Sequence, residues 1–174
     1  TGLNTSMMMT ASTFQGAGWD MSDTWFIMDG NTRPFLRMEY DTTIRNSHQL
    51  QLMVMNLAGD YVLARDIEMN CTDPSSMWGT SLSSGRGFVP IGNLTAPFVG
   101  SFDGAGHTIS GLHINRSTED YVGLFGVLGY DGSVHDLALD KASITGGDFT
   151  GGAIGQLSNI TQPVALPDSP VAYW

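Results

Sequence analysis

The chain has 174 residues, few charged side chains and a net charge of −10. That balance argues against nucleic acid, whose phosphates require Lys and Arg, and against an anionic membrane surface. No apolar run approaches the roughly 20 residues of a membrane span, so no membrane insertion is expected, and the length suits one domain or a slice of a longer array.

No signal peptide opens the sequence, so any export information is expected to lie outside it. The single cysteine, Cys71, cannot form an internal disulfide. No Cys/His cluster has zinc-ligand spacing, so Cys71 reads as a small buried residue and no cofactor is implied. Low charge with much Gly, Ser, Thr and Asn fits an exported β-protein.

In chain order, Asn4 or Thr5 caps a short helix through Met7, Met8 and Met9 to Ala11, with the methionines as core filling. Trp25-Phe26-Ile27 reads as a strand, Asp29-Gly30-Asn31 as a turn and Pro34-Phe35-Leu36 as an extended piece. Trp19 and Trp25 pack in the core or a cap, or stack on a sugar. A new unit begins near Tyr40. Leu50, Met53, Val54 and Leu57 recur at helical spacing, so a helix is expected over about 47–58, capped by Ser47 and stopped by Gly59. Tyr61 to Met69 reads as a strand. Residues 70–87 read as a surface loop anchored by Trp78.

Phe88 to Gly126 organises the rest. T-I-S-G-L-H-I alternates apolar and polar residues, as a half-buried strand does, and Gly92, Gly100, Gly104, Gly106, Gly111, Gly123 and Gly126 supply tight corners. The pattern Ile109, Leu112, Ile114 returns as Val134, Leu137, Leu139, and V-G-L-F-G at Val122–Gly126 returns as G-G-A-I-G at Gly151–Gly155. Both offsets fall within the roughly 20–50 residues of solenoid repeats. The expected fold is all-β, a right-handed parallel β-helix with one or two short capping helices. Its core stack sets Leu112 beside Leu137, Ile109 over Val134 and Ile114 over Leu139. The close, at residues 161–174, is an extended tail, because Pro163, Pro167 and Pro170 cannot sit in a central strand.

A family resemblance rests on T-T-I-R-N-S-H-Q-L-Q-L-M-V-M-N-L-A-G-D-Y-V-L-A-R-D-I-E-M, M-W-G, G-F-V-P-I-G-N, P-F-V-G-S-F-D-G-A-G-H-T-I-S-G-L-H-I-N-R and D-Y-V-G-L-F-G. Together these resemble the repeat unit of filamentous-haemagglutinin-like bacterial exoproteins with GLUG-type repeats. The match runs to about Gln156. It implies two-partner secretion, a right-handed parallel β-helix and an adhesive, cell-surface role. Residues 1–40 then resemble the close of a preceding unit, 41–160 a β-helix unit and 161–174 a departure from the family pattern.

Chemistry is sought among Asp103, Asp120, Asp131, Asp136 and Asp140 with Arg86 and Arg116, since glycan-cleaving β-helices cluster carboxylates on one face. Asp103 and Asp131 precede glycine and read first as turn residues, while Asp136 and Asp140 flank a strand and read as solvated. His107, His113 and His135 read as surface histidines or as stacked metal ligands. Asn4, Asn70, Asn93, Asn115 and Asn159 each begin an N-x-S/T triplet open to glycosylation. The sequence therefore assigns no catalytic, cofactor or metal residues. It suggests an adhesive module without enzymatic activity that meets a surface receptor or glycan outside a bacterial cell. The alternatives are a self-assembling filament subunit and a β-helical carbohydrate-active enzyme. Candidate assembly contacts are Trp19, Trp25, Tyr173 and Trp174.

Overall fold

The computed structural model describes residues 2–69, 76–78 and 85–158. Cys71, Asn70, Asn159 and the whole tail, with Tyr173 and Trp174, lie outside the described residues.

The N-terminal part opens with helix α1 (Thr5–Met8), capped by Asn4, whose side-chain oxygen accepts from Met7 N at 2.9 Å. Helix α2 (Ala11–Gly16) follows and buries Phe14. Strands β1 (Trp25–Phe26) and β2 (Phe35–Leu36) pair antiparallel across a turn in which Gly30 takes φ 72°. Thr32 is fully buried in this turn, and its hydroxyl accepts from Met28 N.

Strand β3 (Thr43–Ile44) leads into helix α3 (Ser47–Leu52). Asn46, rather than Ser47, caps it, because the Asn46 side chain reaches Gln49 N at 2.9 Å. The helix is shorter than the sequence suggests. It tightens into a 3-10 turn at Met53–Met55, and Asn56 takes extended dihedrals and ends it before Gly59. The apolar spacing is nonetheless expressed: Leu50, Leu52 and Met53 are fully buried.

The remaining strands are β4 (Asp60–Leu63), β5 (Ile67–Glu68), β6 (Ser101–Asp103), β7 (Thr108–Ser110), β8 (His113–Asn115), β9 (Phe125–Leu128), β10 (Ser133–His135), β11 (Ala138–Asp140), β12 (Ser143–Thr145) and β13 (Ile154–Leu157). With β3 they form four parallel sheets, ordered β10-β6-β4-β3, β11-β7-β5, β12-β8 and β13-β9.

The expected continuous parallel β-helix is not what these residues form. The described strands divide into five small separate sheets, one of them antiparallel, and three α-helices accompany them. The strands are only two to four residues long. Left-handed residues stand between β6 and β7 (Ala105), β7 and β8 (Gly111), β10 and β11 (Asp136) and β11 and β12 (Lys141), and they end those strands before the ladders can extend.

The expected register also fails. Leu139 pairs with Ile109, Ile144 with Ile114 and Val134 with Phe102. Val134, Leu139 and Ile144 are spaced five apart, so a pattern match can slip by one step and still place apolar on apolar. Ile109, Leu112 and Ile114 are fully buried, while Val134, Leu137 and Leu139 are partly buried against the same core.

That core is dominated by aromatic rings. Phe98, Phe102 and Phe125 are fully buried, with Phe98–Phe125 centroids 4.9 Å apart, and Trp78 lies against Phe88 at 5.9 Å. Gln51 is the one fully buried amide among the described residues and makes three hydrogen bonds. Its oxygen accepts from Trp78 Nε1 at 2.8 Å and Val89 N at 2.9 Å, and its nitrogen donates to Val89 O at 3.0 Å.

Candidate functional site

Two groups of side chains stand out on the parallel sheets. The first follows from the β6–β10 register, which sets His135 directly opposite Asp103. Asp136 follows with φ 52°, a left-handed conformation that Asp tolerates better than most residues. His135 Nδ1 then lies 3.5 Å from Asp103 Oδ1 and 3.2 Å from Asp136 Oδ2. One ligand atom from each of the three residues falls within 4.8 Å of the others. An open groove of about 480 Å³ beside them is lined by Asp103, Ala105, Gly106, Asp136, Leu137 and Ala138.

An imidazole nitrogen with two carboxylates is a donor set that a divalent transition metal accepts. All three side chains are at least two-fifths exposed, so solvent weakens the contacts between them. Asp103 is also engaged as a turn residue: its Oδ1 accepts from Ala105 N at 2.7 Å.

Of the other acidic and basic candidates, Asp120 and Arg116 hold backbone in place. Asp120 Oδ1 accepts from Asp148 N at 2.8 Å. Asp131 sits in the turn before β10, and Asp140 faces Lys141 at 3.5 Å on the surface. Arg116 is almost fully buried and bonds Phe88 O at 3.3 Å, Glu119 Oε2 at 3.1 Å and Asn31 Oδ1 at 3.1 Å, joining the N-terminal part to the sheets. Burial, with nearby Arg86 adding to it, lowers the Arg116 pKa to about 10. Arg86 pairs with the same Glu119. His107 contacts Asp66 at 3.2 Å, and the carbonyl of His113 accepts from Phe88 N. The stacked histidines considered from sequence are therefore not brought together: Asp103, not His107, stands opposite His135.

The second group is aromatic, and sequence reasoning missed it. Tyr121 and Phe149 stack with centroids 5.1 Å apart and planes within 8°. Both have left-handed backbones, φ 61° and 57°, and Phe149 is 54% exposed. Bulky residues rarely adopt this conformation, and each such residue costs on the order of 1–3 kcal/mol. A stacked pair returns only about 0.5–1.5 kcal/mol beyond burial. The stack therefore offsets only part of the strain.

The signal was available in sequence. Asp120-Tyr121-Val122-Gly123 is followed by Asp148-Phe149-Thr150-Gly151, and Val122 pairs with Thr150 in parallel. Beside Tyr121 lies a pocket of about 170 Å³ whose lining includes Val89, Pro90, Asn93, Glu119 and Asp120.

Trp19 and Trp25, by contrast, pack on each other with centroids 4.4 Å apart, and Phe14 lies 4.9 Å from Trp19. They form a small aromatic cluster within the N-terminal part.

Similarity to known proteins is partial. Halomucin from Haloquadratum walsbyi is 41% identical over 105 residues, which is 60% of this chain and 1% of that protein. A putative Gly-rich membrane protein from Evansella cellulosilytica is 34% identical over 119 residues, 62% of this chain and 13% of that protein. The chain thus spans a small fraction of the relatives it matches. Neither name is that of a filamentous-haemagglutinin-like exoprotein. No family model matches the chain, and no solved structure matches it. The two relatives together point to a cell-surface or membrane-associated protein. Among the described residues, no helix is long and apolar enough to cross a membrane.

Proposed function

We propose that this chain is a non-catalytic structural and adhesive segment of a much larger extracellular protein at a microbial cell surface. The observation that carries this reading is the use of its carboxylates. Asp41, Asp66, Asp103 and Asp120 each accept from a backbone N–H, of Thr43, Thr108, Ala105 and Asp148 respectively. They fasten turns and join neighbouring sheet segments. The partial matches to long proteins support the reading, since the matched stretch is a small share of each.

The competing reading is a glycan-cleaving enzyme working through Asp103 or Asp120. Incubation of the purified chain with neutral and acidic polysaccharides, followed by a reducing-end assay, separates the two. The structural reading expects no new reducing ends. Their release by the native chain and its loss in Asp103→Asn or Asp120→Asn would overturn it.

A further inference from the structure

We propose that the Tyr121–Phe149 stack and the pocket beside it form a binding site for a neutral polysaccharide. This deepens the adhesive part of the function proposed above and rests on it for the ligand's location outside the cell.

Tyr121 and Phe149 are both held in left-handed backbone conformations. Left-handed backbone at a tyrosine and at a phenylalanine, aligned by parallel pairing of Val122 with Thr150, is a costly arrangement that the stack only partly offsets. Glycine would occupy both positions without strain. Aromatic residues stand there instead, and Phe149 is more than half exposed. Strain of this kind, concentrated on an aromatic pair, marks a site held for contact rather than for folding.

The surroundings define the ligand class. A pyranose ring offers a patch of C–H on one face and hydroxyls around its rim. An aromatic face receives the first, and side-chain carboxylates and carboxamides bond the second. Tyr121, Asp120 and Asn93 line the pocket, and the exposed Phe149 stacked on Tyr121 adds an aromatic face beside it. The Asn93 oxygen accepts from Thr95 N and Ala96 N, which fixes the side chain at the pocket edge. A volume of about 170 Å³ is below the roughly 300–1,000 Å³ of drug-sized pockets and suits one sugar unit of a longer chain.

Charge selects within the class. With a net charge of −10 on the chain and Asp120 at the pocket, a uronate polymer would be repelled. A basic peptide would need several unpaired carboxylates. Glu119 is already paired to Arg86 and Arg116, which leaves Asp120 as the one acidic group in the pocket without a cationic partner among the described residues.

Native gels cast with hydroxyethylcellulose, galactomannan or mixed-linkage β-glucan test the proposal, with polygalacturonate as the acidic control. The full chain is expected to be retarded in at least one neutral gel and not in polygalacturonate. Phe149→Gly and Tyr121→Gly should each weaken that retardation about tenfold while the thermal midpoint holds or rises, because glycine relieves the left-handed strain. No retardation in any neutral gel overturns the proposal, as does retardation in polygalacturonate alone. Equal retardation of the native chain and both variants overturns it too, and failure of both variants to fold makes the pair a structural element. Absence of reducing-end release together with absence of retardation would refute this inference and leave the non-catalytic reading intact.

Discussion

Trp78 and Gln51 are locked together in the centre of the protein: the indole N–H donates to the amide oxygen at 2.8 Å, and both side chains are almost wholly buried. The same amide clamps Val89 through two further bonds, so one side chain of α3 joins two segments distant in sequence. Gln51→Leu keeps the size but strands the indole N–H and the Val89 backbone groups. Each unsatisfied buried group costs about 1–3 kcal/mol. Urea unfolding should show a loss of at least about 2 kcal/mol, with an unchanged m-value. A loss below about 0.5 kcal/mol would mean that water replaces these bonds readily.

The observed register makes a graded prediction. Leu112 is fully buried, and Leu112→Ala should cost about 2–5 kcal/mol, through lost burial and a residual cavity. Leu112→Asp should abolish folding, since an unpaired charge would be buried. Ile109 is fully buried and its partner Leu139 only partly, so Ile109→Ala should lower the urea midpoint more than Leu139→Ala. The reverse order would place the core on the other side of this pairing.

Two glycines with nearly the same backbone should behave differently. Gly92 has φ 75°, and a Cβ there would lie 2.6 Å from Phe98 N and 2.8 Å from Val127 O. Gly106 has φ 76°, with nothing within 4 Å of an added Cβ. Gly106→Ala should cost only the left-handed conformation, about 1–2 kcal/mol. Gly92→Ala should cost clearly more, because backbone must also move. Equal thermal midpoints for the two variants would contradict the close approach at Gly92.

Acid should act late. The pKa of Asp20 is held well below its ordinary 3.8, first by the Ser22 hydroxyl and then by Asp23 N and Thr24. Asp41 is lowered chiefly by Thr43 N, and Asp66 chiefly by Thr108 N and then by His107. A depressed carboxylate stabilises the fold above its unfolded pKa, and that contribution is lost as pH falls through the folded value. Stability should therefore hold from neutral pH down to about 4 with respect to these groups and decline below it. Carboxyl-carbon NMR titration should place all three midpoints below 3.8. Midpoints above that value would show that the hydrogen bonds do not persist in solution.

Local chemistry was the legible part of the sequence. Asn4 as a cap, the turn at Gly30 and the burial of Leu50 and Met53 follow from residue type and spacing. So does the return of Val122–Gly126 as Gly151–Gly155, where Phe125 pairs with Ile154. Register was not legible, because apolar residues five apart permit a slip that patterning cannot detect. The extent of the sheets was not legible either: ladder length depends on where left-handed residues such as Lys141 and Asp136 fall; lysine gives no sign of that conformation, and most aspartates do not adopt it. Of the candidate sites, the carboxylates were visible singly, but the meeting of His135 with Asp103 depends on register. The Tyr121–Phe149 pair was hidden for a related reason. Its signal is two Asp-aromatic-x-Gly quartets that matter only once Val122 and Thr150 are aligned.

The proposed structural role places this chain outside the cell. Intact cells that make the protein, labelled with an antibody raised against residues 2–158 and compared with lysed cells, check that placement. Equal labelling of both is expected, with loss of the signal when protease is added to intact cells. Labelling that appears only after lysis, with full protection from external protease, would overturn the proposal.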